Sequence, residues 1–349
     1  MPAYKDKKRG TWYAKFNYRD YSGNNKQKLK RGFETRRAAL QFEREFLLKQ
    51  QENKEITIKA LCESYLEYLK PRIRESSYIT KASGINKYII PAFGDRAAGE
   101  LTAADIARWQ SDLIKCGRLA NTTLHIINGY FSSIFNYGIK FCGLSVNPVR
   151  AAGSAGASKS DAGDYWTYQE YRQFRAVITS LQDLALFDTL FFTGARIGEI
   201  LALRWSDIDF INEQIDINKT ITKTEDGLKT GPPKTKTSAR IIDIPASLAD
   251  RLREYRGHLY GVKDSDSVFC LYNATVRYRM KKYIKKSGVK DIRLHDIRHS
   301  HASFLIARGV DILTVSRRLG HTNTSTTLNL YGHMYEKNRR AVATLLNGL

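Results

Sequence analysis

Near the C-terminal end of the chain His295 stands three residues before Arg298, and Leu319-Gly320-His321 is followed ten residues on by Tyr331. Residues three apart on a helix share a face, so an imidazole and a guanidinium at 295 and 298 can converge on one anion. Far upstream, Gly194-Ala195-Arg196-Ile197-Gly198-Glu199 places a second arginine just past a glycine turn. Arginine offers a planar, permanently charged fork that binds two oxygens at once, and histidine can donate or relay a proton near neutral pH. Two arginines and two histidines around one tyrosine suit a site that holds a phosphodiester while a phenolic oxygen attacks it. Attack at phosphorus loads negative charge onto the non-bridging oxygens, so such a site works mainly by positioning and electrostatic stabilisation. A phenol titrates near pH 10, so it needs a base or a cationic neighbourhood, which the cluster supplies.

Each motif alone is common. Outside this set Arg196 reads as a helix-surface partner of Glu199, Arg298 reads as a surface charge, and the chain has 20 tyrosines. Arg, Lys, His-x-x-Arg, His and Tyr in this order resemble the signature of the tyrosine recombinases, the phage-type (lambda-like) integrases, and the resemblance runs over the whole chain. It implies catalytic roles for Arg196, Lys234, His295, Arg298, His321 and Tyr331. Lys234, in the run Lys234-Thr235-Lys236-Thr237-Ser238, best matches the lysine that protonates the leaving 5′ oxygen, with Lys236 as the alternative. Asp243 departs from the proline that many relatives carry, at a strand position away from the chemistry. Tyr335 is the nearest rival to Tyr331 and lacks the spacing from Leu-Gly-His. His299 and His301 read as structural or auxiliary, because the register pairing His295 with Arg298 turns His299 elsewhere, and Glu199 reads as a supporting group.

Lysine and arginine outnumber aspartate and glutamate 57 to 35, a formal charge of +22 spread along 349 residues, which favours a polyanionic partner such as nucleic acid. The length suits two or three domains. Cys62, Cys116, Cys142 and Cys270 are scattered without metal-ligand spacing, which favours a reduced compartment. The N-terminus has no apolar signal-peptide core, and no run approaches a membrane span, so the expected location is the cytoplasm. There is no carboxylate cluster suited to two-metal catalysis and no phosphate-binding glycine loop, so no metal and no cofactor is expected.

The elements that must position these residues are legible in outline. Residues 11–19 alternate with Trp12, Ala14, Phe16 and Tyr18 on one side, residues 28–33 repeat the pattern, and Thr35 can cap a helix reaching about residue 51. The expectation is a small three-stranded β-sheet backed by one helix over residues 1–55, with Lys15, Arg19, Lys26, Lys28 and Lys30 lining a sheet face. Residues 57–150 read as a four-helix bundle: Thr57 opens the first helix, Pro71 and Pro91 close the first and second, Thr102 and Asp105 make a capping box, and a helix spans about 121–141. Residues 151–164 are small and polar and read as a flexible linker. Residues 165–349, opened by the Thr167/Glu170 capping pair, read as mainly helical with a small β-sheet, strands at 214–222 and 238–244 being joined by a loop of turn formers at 223–233. The fold class is therefore α+β, mainly α.

The resemblance assigns these segments as an N-terminal arm-type DNA-binding domain with contacts at Lys15, Arg19, Lys28 and Lys30, a helical SAM-like core-binding domain, a linker letting the two sides close around DNA, and a catalytic tyrosine recombinase domain. It implies a DNA strand transferase of a phage or integrative mobile element, joined to DNA through a 3′-phosphotyrosyl link. The implied partners are double-stranded DNA with core and arm-type attachment sites, a homo-tetramer on paired sites, and an excisionase and a DNA-bending host protein. The implied location is the bacterial cytoplasm, associated with the nucleoid. The other readings are a type IB topoisomerase-like strand transferase and a DNA-binding protein that kept the fold without catalysis. Ala341, Val342, Leu345 and Leu346 form an apolar stripe on an expected short terminal helix, which relatives exchange with a neighbouring subunit, the alternative being docking on its own domain.

Overall fold

The computed structural model describes residues 3–6, 10–19, 25–52, 56–157, 164–233, 236–320 and 328. It divides into two units, Met1–Ser160 and Asp161–Leu349. The apolar stripe of the expected terminal helix lies outside the described residues.

The first unit begins with an antiparallel sheet of β1 (Ala3–Asp6), β2 (Thr11–Arg19) and β3 (Asn25–Phe33), with β2 central. Helix α1 (Arg36–Glu52) follows, its first turn held by Ala38 N donating to Thr35 Oγ1 at 3.1 Å. Ala14, Phe16 and Ala39 are buried between sheet and helix, with Phe42 and Phe46 packed against them. Pairing sets Lys30 opposite Ala14 and Lys28 opposite Phe16, on the helix side of the sheet. Lys30 Nζ lies 4.3 Å from the centre of the Phe42 ring and Lys28 Nζ 5.8 Å from that of Phe46. Lys15, opposite Leu29, is on the other face, so the expectation of one shared basic face is corrected. The physical cause is that β3 is an edge strand, from which long lysine stems can run along apolar surface and cap aromatic faces. Arg19 pairs with Asn25 at the far end of β2.

Next come α2 (Ile58–Leu69), capped by Thr57 Oγ1 accepting from Ala60 N, then α3 (Glu75–Gly84), a π-helical turn Ile85–Ile89, and α4 (Ile90–Phe93). Pro91 does not end its helix as the sequence suggested. It falls in the first turn of α4, where its missing N–H costs little, and the wider π turn before it absorbs the change of register. In α5 (Ala103–Lys115) both halves of the Thr102/Asp105 capping box form, and α6 (Asn121–Phe141) and the short α7 (Pro148–Ala152) complete the group. Their core is Ile58, Leu61, Ile85, Ile106, Phe131 and Phe135 with their neighbours.

The start of the expected linker is anchored. The Gly153 carbonyl accepts from Gln110 Nε2 at 3.0 Å and Asn128 Nδ2 at 3.4 Å, Ser154 Oγ meets His125 Nδ1 at 2.9 Å, and Ala155 is buried. Small side chains that read as flexible are also those that let a chain lie flat on a helix pair.

In the second unit the Thr167/Glu170 box opens α8 (Tyr168–Ala176), followed by α9 (Leu181–Thr193) and α10 (Ile197–Ile200). Strands β4 (Ile208–Asp209), β5 (Gln214–Ile217), β6 (Thr220–Thr224), β7 (Gly227–Gly231) and β8 (Arg240–Asp243) come next. β4, β5 and β8 form one antiparallel sheet, and β6 and β7 a separate hairpin. That hairpin occupies much of the expected loop at 223–233: turn formers Glu225-Asp226 bend the chain, and the flanking residues are paired across it. Helices α11 (Ala246–Gly257), α12 (Asn273–Ser287), α13 (Asp296–Ala307) and α14 (Ile312–Leu319) follow. Helix α9 is buried on most sides, among Trp166, Phe174, Leu252 and Met280. Its two buried carboxylates are matched: Asp183 accepts from Tyr283 and Arg279, and Asp188 from Tyr171 and Arg175. Among the described residues no helix is long and apolar enough to cross a membrane.

Candidate active site

Helix α9 stops at Gly194, whose φ of +62° is left-handed, and the chain then extends through Arg196 before α10 begins. The Glu199 carboxylate closes this turn: Oε2 accepts from Arg196 N at 3.0 Å and Oε1 from Arg196 Nη1 at 2.9 Å. The arginine is thus thrown off the start of α10, and its side chain is 39% exposed while that of Glu199 is 3% exposed. Burial pushes the Glu199 carboxyl up, but the charge and hydrogen bond of Arg240, the Arg196 N–H and the Arg196 charge outweigh it and hold the group below its usual range.

The second segment is set by Asp296, whose carboxylate accepts from Arg293 N at 2.8 Å and pairs with the Arg293 guanidinium. This places His295 at the N-terminal cap of α13. Desolvation of the ring, then its coupling to His299 and the charge of Arg298, push its pKa down to about 4, with Arg196 acting in the same direction. Residues on segments a hundred positions apart therefore share one electrostatic environment. Near pH 7 the imidazole is neutral and keeps one N–H donor and one acceptor.

Arg298, 4% exposed, donates through Nη1 to the Gly194 carbonyl at 2.8 Å and through Nη2 to the Leu319 carbonyl at 2.6 Å. One guanidinium thus ties the end of α9 to the end of α14, just before Gly320-His321. His299 is corrected: four residues on from His295, its ring meets the His295 ring edge-on, with centres 5.3 Å apart and planes at 86°. The i to i+4 neighbours share a face as the i to i+3 neighbours do. His301 is fully interior; burial and then the Arg318 charge lower its pKa to about 3, and its Nε2 accepts from Arg318 Nε at 3.3 Å.

Gly194 is the tightest point of this arrangement. A Cβ there would stand 2.4 Å from His301 Cδ2 and 3.0 Å from Leu319 Cδ2, on a backbone that L side chains resist. Gly194→Ala should cost about 2–5 kcal/mol, combining left-handed strain with overpacking, and should lower the urea midpoint of the second unit's unfolding. An unchanged midpoint would contradict this packing.

Lys234, His321 and Tyr331 lie outside the described residues, as does Tyr335. Ser238, at the end of the turn Lys236–Ser238, is held by Arg240 Nη1 donating to its carbonyl at 2.8 Å. Beside His295 a cavity of about 330 Å³ has Met280, Ile292 and Leu294 in its lining, with Arg277, Lys281 and Arg293. What converges is a buried arginine, a half-exposed arginine and a neutral histidine next to basic surface, a set able to bind and polarise a phosphodiester. Sequence reasoning missed the buried Arg240 and the part-buried Arg318, which brace this set. Among the described residues no group of three or more His, Cys, Asp or Glu could hold a metal ion.

The Phage integrase family model matches residues 167–338, an Arm DNA-binding domain model matches residues 2–50, and a model of the phage integrase N-terminal SAM-like domain matches residues 57–114. The chain belongs to the phage integrase family, the tyrosine recombinases. It is 30% identical over 338 residues to the ICEBs1 integrase of Bacillus subtilis (strain 168), covering 90% of each chain. Its fold is similar to that of the Tn1549 transposon integrase in complex with transposon right end DNA, with TM-score 0.70, 18% identity, and coverage of 84% of this chain and 100% of that one. It is also similar to a lambda integrase tetramer bound to a Holliday junction, with TM-score 0.60, 19% identity, and coverage of 93% and 97%.

Proposed function

We propose that the chain is a site-specific DNA recombinase, the integrase of a phage or integrative mobile element, that cleaves and rejoins DNA through a covalent 3′-phosphotyrosyl intermediate. The observation that carries this reading is the convergence of Arg196, His295 and Arg298, with Arg298 bonded to both the Gly194 and Leu319 carbonyls. Arg196 and Arg298 neutralise the charge that develops on the phosphoryl oxygens, and His295 and His321 donate to them or pass protons. Tyr331 Oη attacks phosphorus, and the 5′ oxygen leaves with a proton from Lys234. The phosphodiester energy is kept in the tyrosyl link, so a different 5′-hydroxyl can reverse the reaction without a nucleotide.

Related proteins supply the expected partners. A lambda integrase tetramer occupies a Holliday junction and the Tn1549 integrase holds transposon-end DNA, which supports a tetramer of this chain on paired attachment sites. On this reading an excisionase and a DNA-bending host protein set direction, and the enzyme works in the bacterial cytoplasm at the nucleoid. Residues 1–55 bind arm-type sites, residues 57–150 and 165–349 grip the core site, and the join between them lies at 151–164. Lys15, Arg19, Lys28 and Lys30 are proposed to contact arm DNA, Lys15 from the open sheet face and Lys28 and Lys30 from the edge strand.

The test is a supercoiled plasmid carrying two attachment sites, assayed with and without those sites. Exchange of flanking sequence only when both sites are present is the expected result. Relaxation of the site-free plasmid would indicate a topoisomerase, and a gel shift without strand exchange or cleavage a binding protein. Removing residues 1–55 should spare cleavage at an isolated core site and eliminate recombination that depends on arm sites. Loss of core-site binding by the truncated chain, with its helical circular dichroism intact, would overturn the modular assignment.

A further inference from the structure

Three segments that carry or flank the proposed catalytic residues meet on one side chain to which the chemistry above gives no role. Arg240, the first residue of β8, has a side chain only 7% exposed. Its Nη2 donates to Glu199 Oε2 at 3.0 Å, and the other oxygen of that carboxylate holds Arg196. Its Nη1 donates to the Ser238 carbonyl at 2.8 Å, and its Nε to the Arg318 carbonyl at 2.6 Å. The Arg318 side chain is itself fixed, donating to His301 Nε2 and to the carbonyls of Phe192 and Asp243. Gly320 closes over the same guanidinium: at φ +69°, a Cβ there would lie 3.0 Å from Arg240 Nη1 and 3.3 Å from Ser238 Cα.

A buried guanidinium is costly unless each edge finds an acceptor, and this one finds one in each of three segments. Its effect on Arg196 follows from Glu199 being shared. An arginine fork and a carboxylate left to themselves favour a two-bond pair, which would fold Arg196 back onto Glu199 and away from phosphate. With Arg240 on one oxygen, Glu199 steadies the base of Arg196 without taking its whole fork.

We propose that Arg240 is a positioning residue for strand cleavage: through Glu199 it sets the reach of Arg196, and through the Arg318 and Ser238 carbonyls it fixes the turn leading to His321 against the loop leading from Lys234. This rests on the function proposed above. The test uses the full chain with Arg240→Gln and Arg240→Lys. Core-site affinity is measured by gel shift, and the rate of covalent adduct formation on saturating nicked duplex is measured separately. Affinity should be unchanged in both variants, while the adduct rate should fall about a hundredfold for glutamine and about tenfold for lysine, the size expected when a catalytic group shifts by about an ångström. Glu199→Gln combined with Arg240→Gln should lose less than the sum of the two single losses, because the second residue acts through the first.

An Arg240→Gln protein that cleaves at the wild-type rate, or losses in affinity that match the losses in rate, would overturn the inference. So would additive losses in the double variant. If the glutamine variant does not fold, Arg240→Lys decides by the same split between affinity and rate. Wild-type chain that forms no adduct would instead bring down the proposed function, and this inference with it.

Discussion

Tyr331→Phe is expected to abolish recombination completely while leaving core-site DNA affinity at the wild-type level. The substitution removes one oxygen and no charge, so the basic surface that neutralises phosphates is intact and the salt dependence of binding should be unchanged. What disappears is the atom that bonds to phosphorus. No neighbouring phenol should replace it, because a nucleophile must reach in-line geometry about 3 Å from phosphorus, and a tyrosine four positions along the chain does not share that placement. Tyr335→Phe should accordingly be nearly silent. Recombination assays with gel shifts on the same preparations check both. Residual recombination by the Tyr331→Phe protein, or its loss in Tyr335→Phe, would move the nucleophile.

The second large effect is expected at Lys234. Lys234→Ala should slow cleavage of an ordinary duplex about a hundredfold or more, the usual consequence of losing a general acid. It should slow cleavage far less when the leaving 5′ oxygen is replaced by sulfur, because a thiolate departs without a proton. Binding should not change. Measuring single-turnover cleavage of both duplexes separates proton delivery from phosphate binding: loss of an oxyanion contact would slow both equally. Should sulfur rescue Lys236→Ala but not Lys234→Ala, the acid is Lys236.

What the sequence disclosed about this site was local in the chain. Thr102/Asp105 and Thr167/Glu170 are capping boxes spelled within four residues, and both form. His295 and Arg298 are close because a helix start places them so, which spacing alone predicts. The braces were harder to see, because their partners are distant: Arg240 meets Glu199 across 41 positions, and Arg318 meets Phe192 across 126. A signal was present at Arg240 all the same. Along β8, Ile242 is buried and Ile241 is 65% exposed, so alternation turns Arg240 inward with Ile242, and an inward arginine requires a buried acceptor. His299 was misplaced by treating i to i+3 as the sole register of a face. Lys28 and Lys30 were misplaced because the pairing register, unlike the alternation, is not written in either strand alone. Gly153 and Ser154 read as linker because nothing in their own composition names Gln110, Asn128 and His125 as partners.

The most direct test of the central claim is to trap the wild-type chain on a core-site duplex nicked beside the cleavage point, so that the short 5′-hydroxyl fragment diffuses away and rejoining fails. The expected product is a complex resistant to denaturing gels, formed without added nucleotide, whose proteolysis yields a nucleotide-linked peptide with the 3′-phosphate on Tyr331. An adduct on any other residue, or cleavage that leaves the protein unattached, would contradict it.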